Sequence, residues 1–144
     1  MGVFDPGINA LSIATSILPP FHLRAGVLEF PANRGAPIAA SLDFIDLDGA
    51  PIRAEFDWRQ TGPQSWNITV ETDAGTLLLS EGGSKLAIAG QPRDLPPEAE
   101  YRGLYDRFAA LIAAGERDVD VSPLRHVADA MLRGERRQVE AFED

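Results

Sequence analysis

The feature of the sequence that most limits its fold is a change in the spacing of apolar residues. Between residues 22 and 88 they alternate with polar residues, as in half-buried β-strands. Before and after this region they recur every three or four residues, as on one face of a helix. The pattern predicts a helix, a meander of five or six antiparallel strands, and then two helices. We therefore expect an α+β fold in which helices pack on one face of an open, mostly antiparallel sheet.

Proline and glycine residues mark the element boundaries. We expect Asp5 to be the N-cap of the first helix with Pro6 just inside it, and Pro19-Pro20 to end it, because proline has no N–H to donate. An Asp48-Gly49 turn is typical of a hairpin. The strands are predicted at 22–30, 39–47, 52–58, 66–70, 76–79 and 86–88.

The two later helices follow from apolar residues at helical spacing. The first is predicted from Tyr101, Leu104, Tyr105, Phe108, Leu111 and Ile112. The second is predicted from Leu124, Val127, Ala128, Met131 and Leu132. Ser122 is expected to cap this last helix, with Pro123 just inside it and Gly134 at its end. The tail beyond Gly134 is expected to be extended.

One strand carries charged side chains at alternating positions, which puts them on one face. They are Arg53, Glu55, Asp57 and Arg59. Charge pairs on a solvated face explain this pattern, and so does an interface with another subunit or domain. Because the set is self-complementary and two-fold dimers are the commonest assemblies, we expect a homodimer formed through the sheet. An unpaired sheet edge offers a second route to association.

Composition limits the classes of function. The chain has 144 residues, which predicts a single domain over residues 1–144. Its formal net charge of −9 disfavours nucleic acid and anionic membranes as partners, because both would repel it. It has no cysteine, which excludes disulfides, cysteine-bound zinc and thiol nucleophiles. No apolar run is long enough to span a membrane, and we expect a cytoplasmic protein.

Residue spacing provides few candidates for chemistry. P-loop, GxGxxG and GxSxG motifs are absent, so no cofactor-binding residue is predicted in this chain. The two histidines, His22 and His126, belong to different elements, and no metal site is predicted. His126 lies beside the apolar residues of the last helix and is expected to be a structural histidine of the core.

Asp5 and Asn9 form the best candidate site. At a spacing of four residues they share one face of the first helix. A carboxylate accepts hydrogen bonds from two sugar hydroxyls, and an amide both donates and accepts. An N-cap followed by an ordinary helix residue explains the same pair without any ligand.

The segment 2–11 (GVFDPGINAL) resembles the D-x-G-x-H part of the G-x-x-x-D-x-G-x-H motif of the glucose–fructose oxidoreductase / inositol dehydrogenase / MocA (Gfo/Idh/MocA) family. Asn9 stands where the family usually has histidine. This version of the motif, with asparagine, resembles that of the family's bacterial sugar 1-dehydrogenases, which act on galactose or arabinose. Segments 28–45, 51–62 and 123–131 are similar to the same branch. The resemblance covers nearly the whole chain.

The resemblance implies the substrate-binding and oligomerisation half of an NAD- or NADP-dependent aldose dehydrogenase. Asp5 would bind sugar hydroxyls, and Asn9 would occupy the catalytic position near the C1 hydroxyl. The family's dinucleotide-binding domain and the strand before its motif are expected to be missing, so the chain alone should be inactive. Lys85, the only lysine, does not match the family's catalytic E-K-P motif and is expected on the surface.

Two other classes of function stay open. The chain could be a stand-alone dimerisation or interaction module that performs no catalysis. It could also bind a small ligand without any relation to the family, since a fold does not fix a function.

Overall fold

The computed structural model of the chain describes residues 2–97 and 100–143. The chain forms two compact units, one of Met1–Gly62 with Val121–Asp144 and the other of Pro63–Asp120. Both contain helix and mainly antiparallel sheet, so the α+β class predicted from the sequence is confirmed. A single domain over residues 1–144 remains a prediction.

The elements follow the predicted order, with two further strands. They are α1 (Phe4–Ile17), β1 (Phe21–Pro31), β2 (Ala39–Asp46), β3 (Pro51–Asp57), β4 (Ile68–Thr72), β5 (Gly75–Ser80), β6 (Lys85–Ile88), β7 (Gln91–Arg93), α2 (Glu100–Ala114), α3 (Ser122–Arg133) and β8 (Glu135–Val139). A short 3₁₀ turn at Glu81–Gly83 separates β5 from β6. As predicted, α1 ends before Pro19-Pro20.

The strands form two four-stranded sheets, which corrects the expectation of one open sheet. The first unit has the order β3-β2-β1-β8 and the second has β4-β5-β6-β7. The fourth strand begins at Ile68, so Trp66 lies outside it. The tail was expected to be only extended, yet its residues Glu135–Val139 pair in parallel with Val27–Pro31. The sequence of β8 (ERRQV) has no alternation of apolar and polar residues. β8 joins the sheet through backbone hydrogen bonds at its edge, which do not require that alternation.

The core lies in the first unit, between the sheet and the helices α1 and α3. Its most deeply buried side chains are Phe44, Leu23, Leu28, Leu42 and Val3. The side chain of His126 from α3 is also buried, as expected. Its ring stacks on Phe21 at 4.4 Å between centroids and meets Phe44 edge-on at 5.2 Å. Aromatic packing therefore ties α3 to the sheet.

Both predicted helix caps are wrong by a short distance. α1 begins at Phe4 after Val3, so Asp5 lies inside the first turn and is not the N-cap. Val3 is buried and its N–H donates to the Pro37 carbonyl at 2.9 Å, so packing and a backbone bond set the start of α1. At α3 the N-cap is Val121, whose carbonyl accepts from the Arg125 N–H at 2.9 Å, and Ser122 is the first helical residue.

The predicted apolar residues of α3 separate onto two sides of the helix. Val127 and Met131 pack against the core. Leu124 and Leu132 are exposed. The buried residues of α3 are Pro123, His126 and Ala130. The side of the helix that is buried therefore differs from the side that the apolar spacing predicted.

Gly134 joins α3 to β8 at a point where a side chain does not fit. A Cβ at this position would lie 2.5 Å from the Ala130 carbonyl oxygen and 3.4 Å from the Gly26 carbonyl oxygen. The Gly134 N–H already donates to that Ala130 oxygen at 2.9 Å. The junction therefore requires glycine because backbone atoms, which cannot move independently, surround it.

We expect Gly134→Ala to lower the free energy of unfolding by about 1–3 kcal/mol, because the added methyl group overpacks a backbone junction. Urea unfolding followed by circular dichroism measures the change. Gly35→Ala is the control, since a Cβ at Gly35 meets no atom within 4 Å. Equal stability of the two variants would contradict the steric reason.

Candidate functional site

Asp5 and Asn9 lie on the exposed side of α1. Four residues separate them along the helix, which corresponds to a rise of about 6 Å and slightly more than one turn. A carboxylate and a carboxamide therefore share one exposed face of the helix. The prediction that Asp5 and Asn9 share one face of the first helix is confirmed. The role of the pair as a binding site remains a prediction.

Gly7 sets the orientation of this face. A Cβ at Gly7 would lie 3.4 Å from Cγ of Phe56, so the Phe56 ring of β3 faces the Gly7 side of the helix. Phe4 adds an edge-on contact to the same ring, with 6.3 Å between centroids. Residues two positions from Gly7 lie about 200° around the helix from it. Packing Gly7 against the sheet therefore turns Asp5 and Asn9 away from it.

Asp5 lies at the start of α1. Asp5 is in the first turn, where unpaired backbone N–H groups and the helix dipole stabilise an anion. Its own N–H donates to the Gly2 carbonyl at 3.0 Å. A carboxylate held in this way remains an acceptor for hydroxyl groups.

Ser12 and Ser16 continue the face of Asp5 and Asn9 toward the end of α1, and both are exposed. At 100° per residue the four side chains fall within roughly 60° of the helix circumference. The sequence analysis did not identify the two serines. Their spacing of seven and eleven residues from Asp5 was the available signal.

A surface cavity of about 260 Å³ is lined by Phe30, Pro31, Ala32, Arg34, Gly35, Arg136, Arg137 and Gln138. There the guanidinium of Arg136 lies 3.8 Å from the centre of the Phe30 ring. This cavity does not include Asp5 or Asn9, which are exposed on the face of a helix.

The charged strand face is built from pairs within the chain. Arg53 Nε donates to Glu55 Oε1 at 2.6 Å, and Ser41 Oγ donates to the other oxygen of Glu55 at 2.6 Å. Arg59 binds Asp57 through two parallel hydrogen bonds of 2.9 Å and reaches Glu29 at 2.8 Å. This is the first alternative given by the sequence, charge pairing on a solvated face. Association through the face remains a prediction.

The bidentate contact changes the ionisation of both groups. The hydrogen bonds from Arg59 lower the pKa of the Asp57 carboxyl, and the bonds to Asp57 raise the pKa of Arg59. Both side chains are well exposed, so solvent screens the pair and its contribution to stability is small.

Other candidates for chemistry have structural roles. Within the described part of the chain, no group of three or more His, Asp or Glu residues could hold a metal ion. His22 is exposed, whereas His126 is buried in the core. Lys85 is on the surface, as expected, and pairs with Glu81 at 2.6 Å. None of the described helices combines the length and apolar character that crossing a membrane would require.

Comparisons with known proteins point to one group of enzymes. The chain is 45% identical over 145 residues to galactose 1-dehydrogenase from Pseudomonas fluorescens, covering 100% of this chain and 48% of that protein. It is 62% identical to the crystal structure of D-galactose-1-dehydrogenase from Rhizobium etli, with a TM-score of 0.94 over 99% of this chain and 46% of that one. No family model matches the chain.

A more distant structure shares only the fold. KijD10, a 3-ketoreductase from Actinomadura kijaniata solved in complex with NADP, is 14% identical and superimposes with a TM-score of 0.73 over 92% of this chain and 47% of that chain. The chain thus spans about half the length of the relatives that it matches. The predicted resemblance to bacterial galactose 1-dehydrogenases is confirmed, over about half the length of those enzymes.

We expect Asp57→Asn to cost about 0.5 kcal/mol of stability at neutral pH, because it removes an exposed ion pair. A carboxyl with a lowered pKa in the folded state stabilises the fold above its unfolded pKa of about 4, and this contribution is lost as the pH falls through the folded pKa. The difference between variant and wild type should therefore vanish in acid. Thermal unfolding between pH 7 and pH 3 measures it. Asp48→Asn, in an exposed turn, is the control for replacing a surface aspartate.

Proposed function

We propose that this chain is the substrate-binding half of an NAD- or NADP-dependent aldose 1-dehydrogenase that acts on galactose or a similar sugar such as arabinose. The observation that carries the proposal is the exposed Asp5 and Asn9 pair on α1, within a chain 62% identical to part of D-galactose-1-dehydrogenase from Rhizobium etli. The catalytic domain that holds the dinucleotide would belong to the rest of a longer protein. We expect the protein in the cytoplasm.

The reaction oxidises C1 of the aldose to a lactone. A hydride leaves C1, the C1 hydroxyl loses its proton, and the ring carbon becomes a carbonyl. NAD or NADP, held outside this chain, supplies the hydride acceptor. The described residues carry no glycine-rich turn between a strand and a helix that would hold a pyrophosphate, so no residue of this chain is assigned to the cofactor.

The chemistry of the two side chains assigns them different tasks. Asp5, an anion at a helix start, accepts hydrogen bonds from two sugar hydroxyls and so fixes the orientation of the ring. Asn9 occupies the catalytic position and holds the C1 hydroxyl or its oxygen through its amide. A neutral amide does not accept a proton at neutral pH. Asn9 is therefore not the base that takes the proton of the C1 hydroxyl, and we assign that base to the rest of the longer protein.

The proposal is tested in a chimera in which this chain replaces the matched 46% of the Rhizobium etli enzyme. Asp5→Asn should lower kcat/KM for galactose about 10- to 150-fold, because a hydrogen bond to a charged group is worth roughly 1.5–3 kcal/mol. Asn9→Ala should lower it about 2- to 13-fold, because a hydrogen bond of a neutral amide is worth roughly 0.5–1.5 kcal/mol. Thermal midpoints should barely change, since both residues are exposed and neither caps the helix. Nicotinamide absorbance at 340 nm gives the rates.

Two controls accompany this measurement. Ser16→Ala, at the far end of the same helix face, should leave kcat/KM unchanged. The isolated chain should give no sugar-dependent reduction of NAD or NADP. If Asn9→Ala changes stability but not kcat/KM, the pair is structural and the sugar site is withdrawn.

The alternative function is a stand-alone dimerisation module without catalysis. The charged face of Arg53, Glu55, Asp57 and Arg59 supports it, because this face is exposed and carries both signs of charge. The same face supports a homodimer of the longer enzyme. Sugar oxidation by the chimera separates the two functions, since only a dehydrogenase half restores it.

We expect the chain to self-associate at micromolar concentration through this face, as measured by light scattering. Arg53→Glu should shift the mass toward the monomer, because it replaces one sign of a self-complementary pattern. Arg125→Glu is the control, since Arg125 is exposed on α3. A monomer mass for the wild-type chain at every concentration would argue against the dimer.

A further inference from the structure

The helix α2 carries large apolar side chains that are left in water. They define the α2 stripe, which consists of Tyr101, Leu104, Tyr105, Phe108, Leu111 and Ile112. Five of the six are between 60% and 72% exposed, and Leu111 is partly buried. Single exposed apolar residues are ordinary, but a contiguous apolar patch marks an interaction surface.

The described part of Pro63–Asp120, the unit that contains α2, has no buried residue. The side chains of its sheet that alternate onto one face, including Ile68, Leu77 and Ile88, are only partly buried. Burial of apolar surface is the main force that stabilises a folded unit. A unit with this composition therefore gains most of its stability from contacts that lie outside its own residues.

The polar side of α2 is already satisfied by pairs within the chain. Arg107 binds Asp118 at 2.7 Å, and Arg102 lies 3.9 Å from Asp106 one turn along the helix. None of these charged residues belongs to the α2 stripe, so the stripe itself is uncharged. The surface that it complements is apolar, and no ion pair is needed to recognise it.

The width of the α2 stripe indicates the kind of surface that covers it. At 100° per residue the six side chains span roughly 120° of the helix circumference. Helices that pack on a globular core present an apolar arc of this width, whereas a helix that pairs with one other helix in a coiled coil presents a narrower seam. The geometry favours the broad face of a folded domain over the α2 helix of a second copy.

We propose that the α2 stripe docks against the part of the longer dehydrogenase that this chain does not match, which the proposed function assigns to dinucleotide binding. The Rhizobium etli enzyme keeps the fold of this chain with a TM-score of 0.94, and 46% of that chain accounts for it. The remaining half of such a polypeptide lies outside the part that this chain matches and is long enough to form a second domain. The inference rests on the proposed function in naming this occupant.

The experiment compares one substitution in two contexts, the isolated chain and the chimera with the Rhizobium etli enzyme. Phe108→Asp introduces a charge into the centre of the α2 stripe. Ala110→Asp introduces the same charge on the opposite side of α2, where Ala110 is also exposed. Phe108→Ala is the milder variant if the aspartate prevents folding. Differential scanning calorimetry measures the thermal midpoint of each protein.

Docking predicts that Phe108→Asp lowers the midpoint of the chimera by roughly 5–10 °C, because it places a charge in a buried apolar contact. The same change should leave the isolated chain within about 1 °C, since exposed substitutions are nearly neutral. Phe108→Ala should follow the same pattern with a smaller shift. Ala110→Asp should be nearly neutral in both contexts.

Three results would overturn the docking. An equal shift in both contexts, or no shift in either, means that the rest of the enzyme does not cover the α2 stripe. A wild-type chimera that melts in two transitions, one at the midpoint of the isolated chain, has the same meaning. The third result is that Phe108→Asp dissociates a dimer of the isolated chain in sedimentation velocity, which would assign the α2 stripe to a second copy. Galactose oxidation by the chimera is recorded separately, so failure of the proposed function is distinguished from failure of the docking.

Discussion

The contact of Gly7 with the Phe56 ring determines which side of α1 is exposed, and therefore where the candidate site lies. Gly7 faces an aromatic ring on β3, and a Cβ added at Gly7 would lie 3.4 Å from that ring. That approach fixes the rotation of α1 on the sheet, and the rotation exposes Asp5 and Asn9 together. The glycine of the D-x-G motif therefore has a structural task that is separate from the chemistry of its two polar neighbours.

The charged residues of the sheet follow a different principle. Glu29 and Asp57 lie on either side of Ala39 in the strand register, and Arg59 binds both carboxylates. Because these charges are already paired within the chain, new ion pairs with a second subunit would add less to the free energy of association. Any homodimer formed through this face would have to exchange some of these pairs for contacts across the interface.

The two compact units differ in how their apolar residues are covered. The first unit closes a core around Leu28, Leu42 and Phe44 with its own helices. The described part of the second unit, with α2, leaves its apolar surface open. The docking that we propose for the α2 stripe would cover part of this open surface.

The sequence by itself determined the class of fold, the order of helices and strands, and the shared helix face of Asp5 and Asn9. These depend on periodicity and turn residues, which act locally. Tertiary structure alone decided where α1 begins, how the strands divide into two sheets, and that β8 pairs in parallel with β1. Burial of Val3 overrode the capping preference of Asp5, and backbone pairing recruited a charged tail that has no strand pattern. The apolar spacing of α2 predicted its helix correctly, but whether that stripe is buried depends on surfaces far away in sequence, which local pattern does not encode.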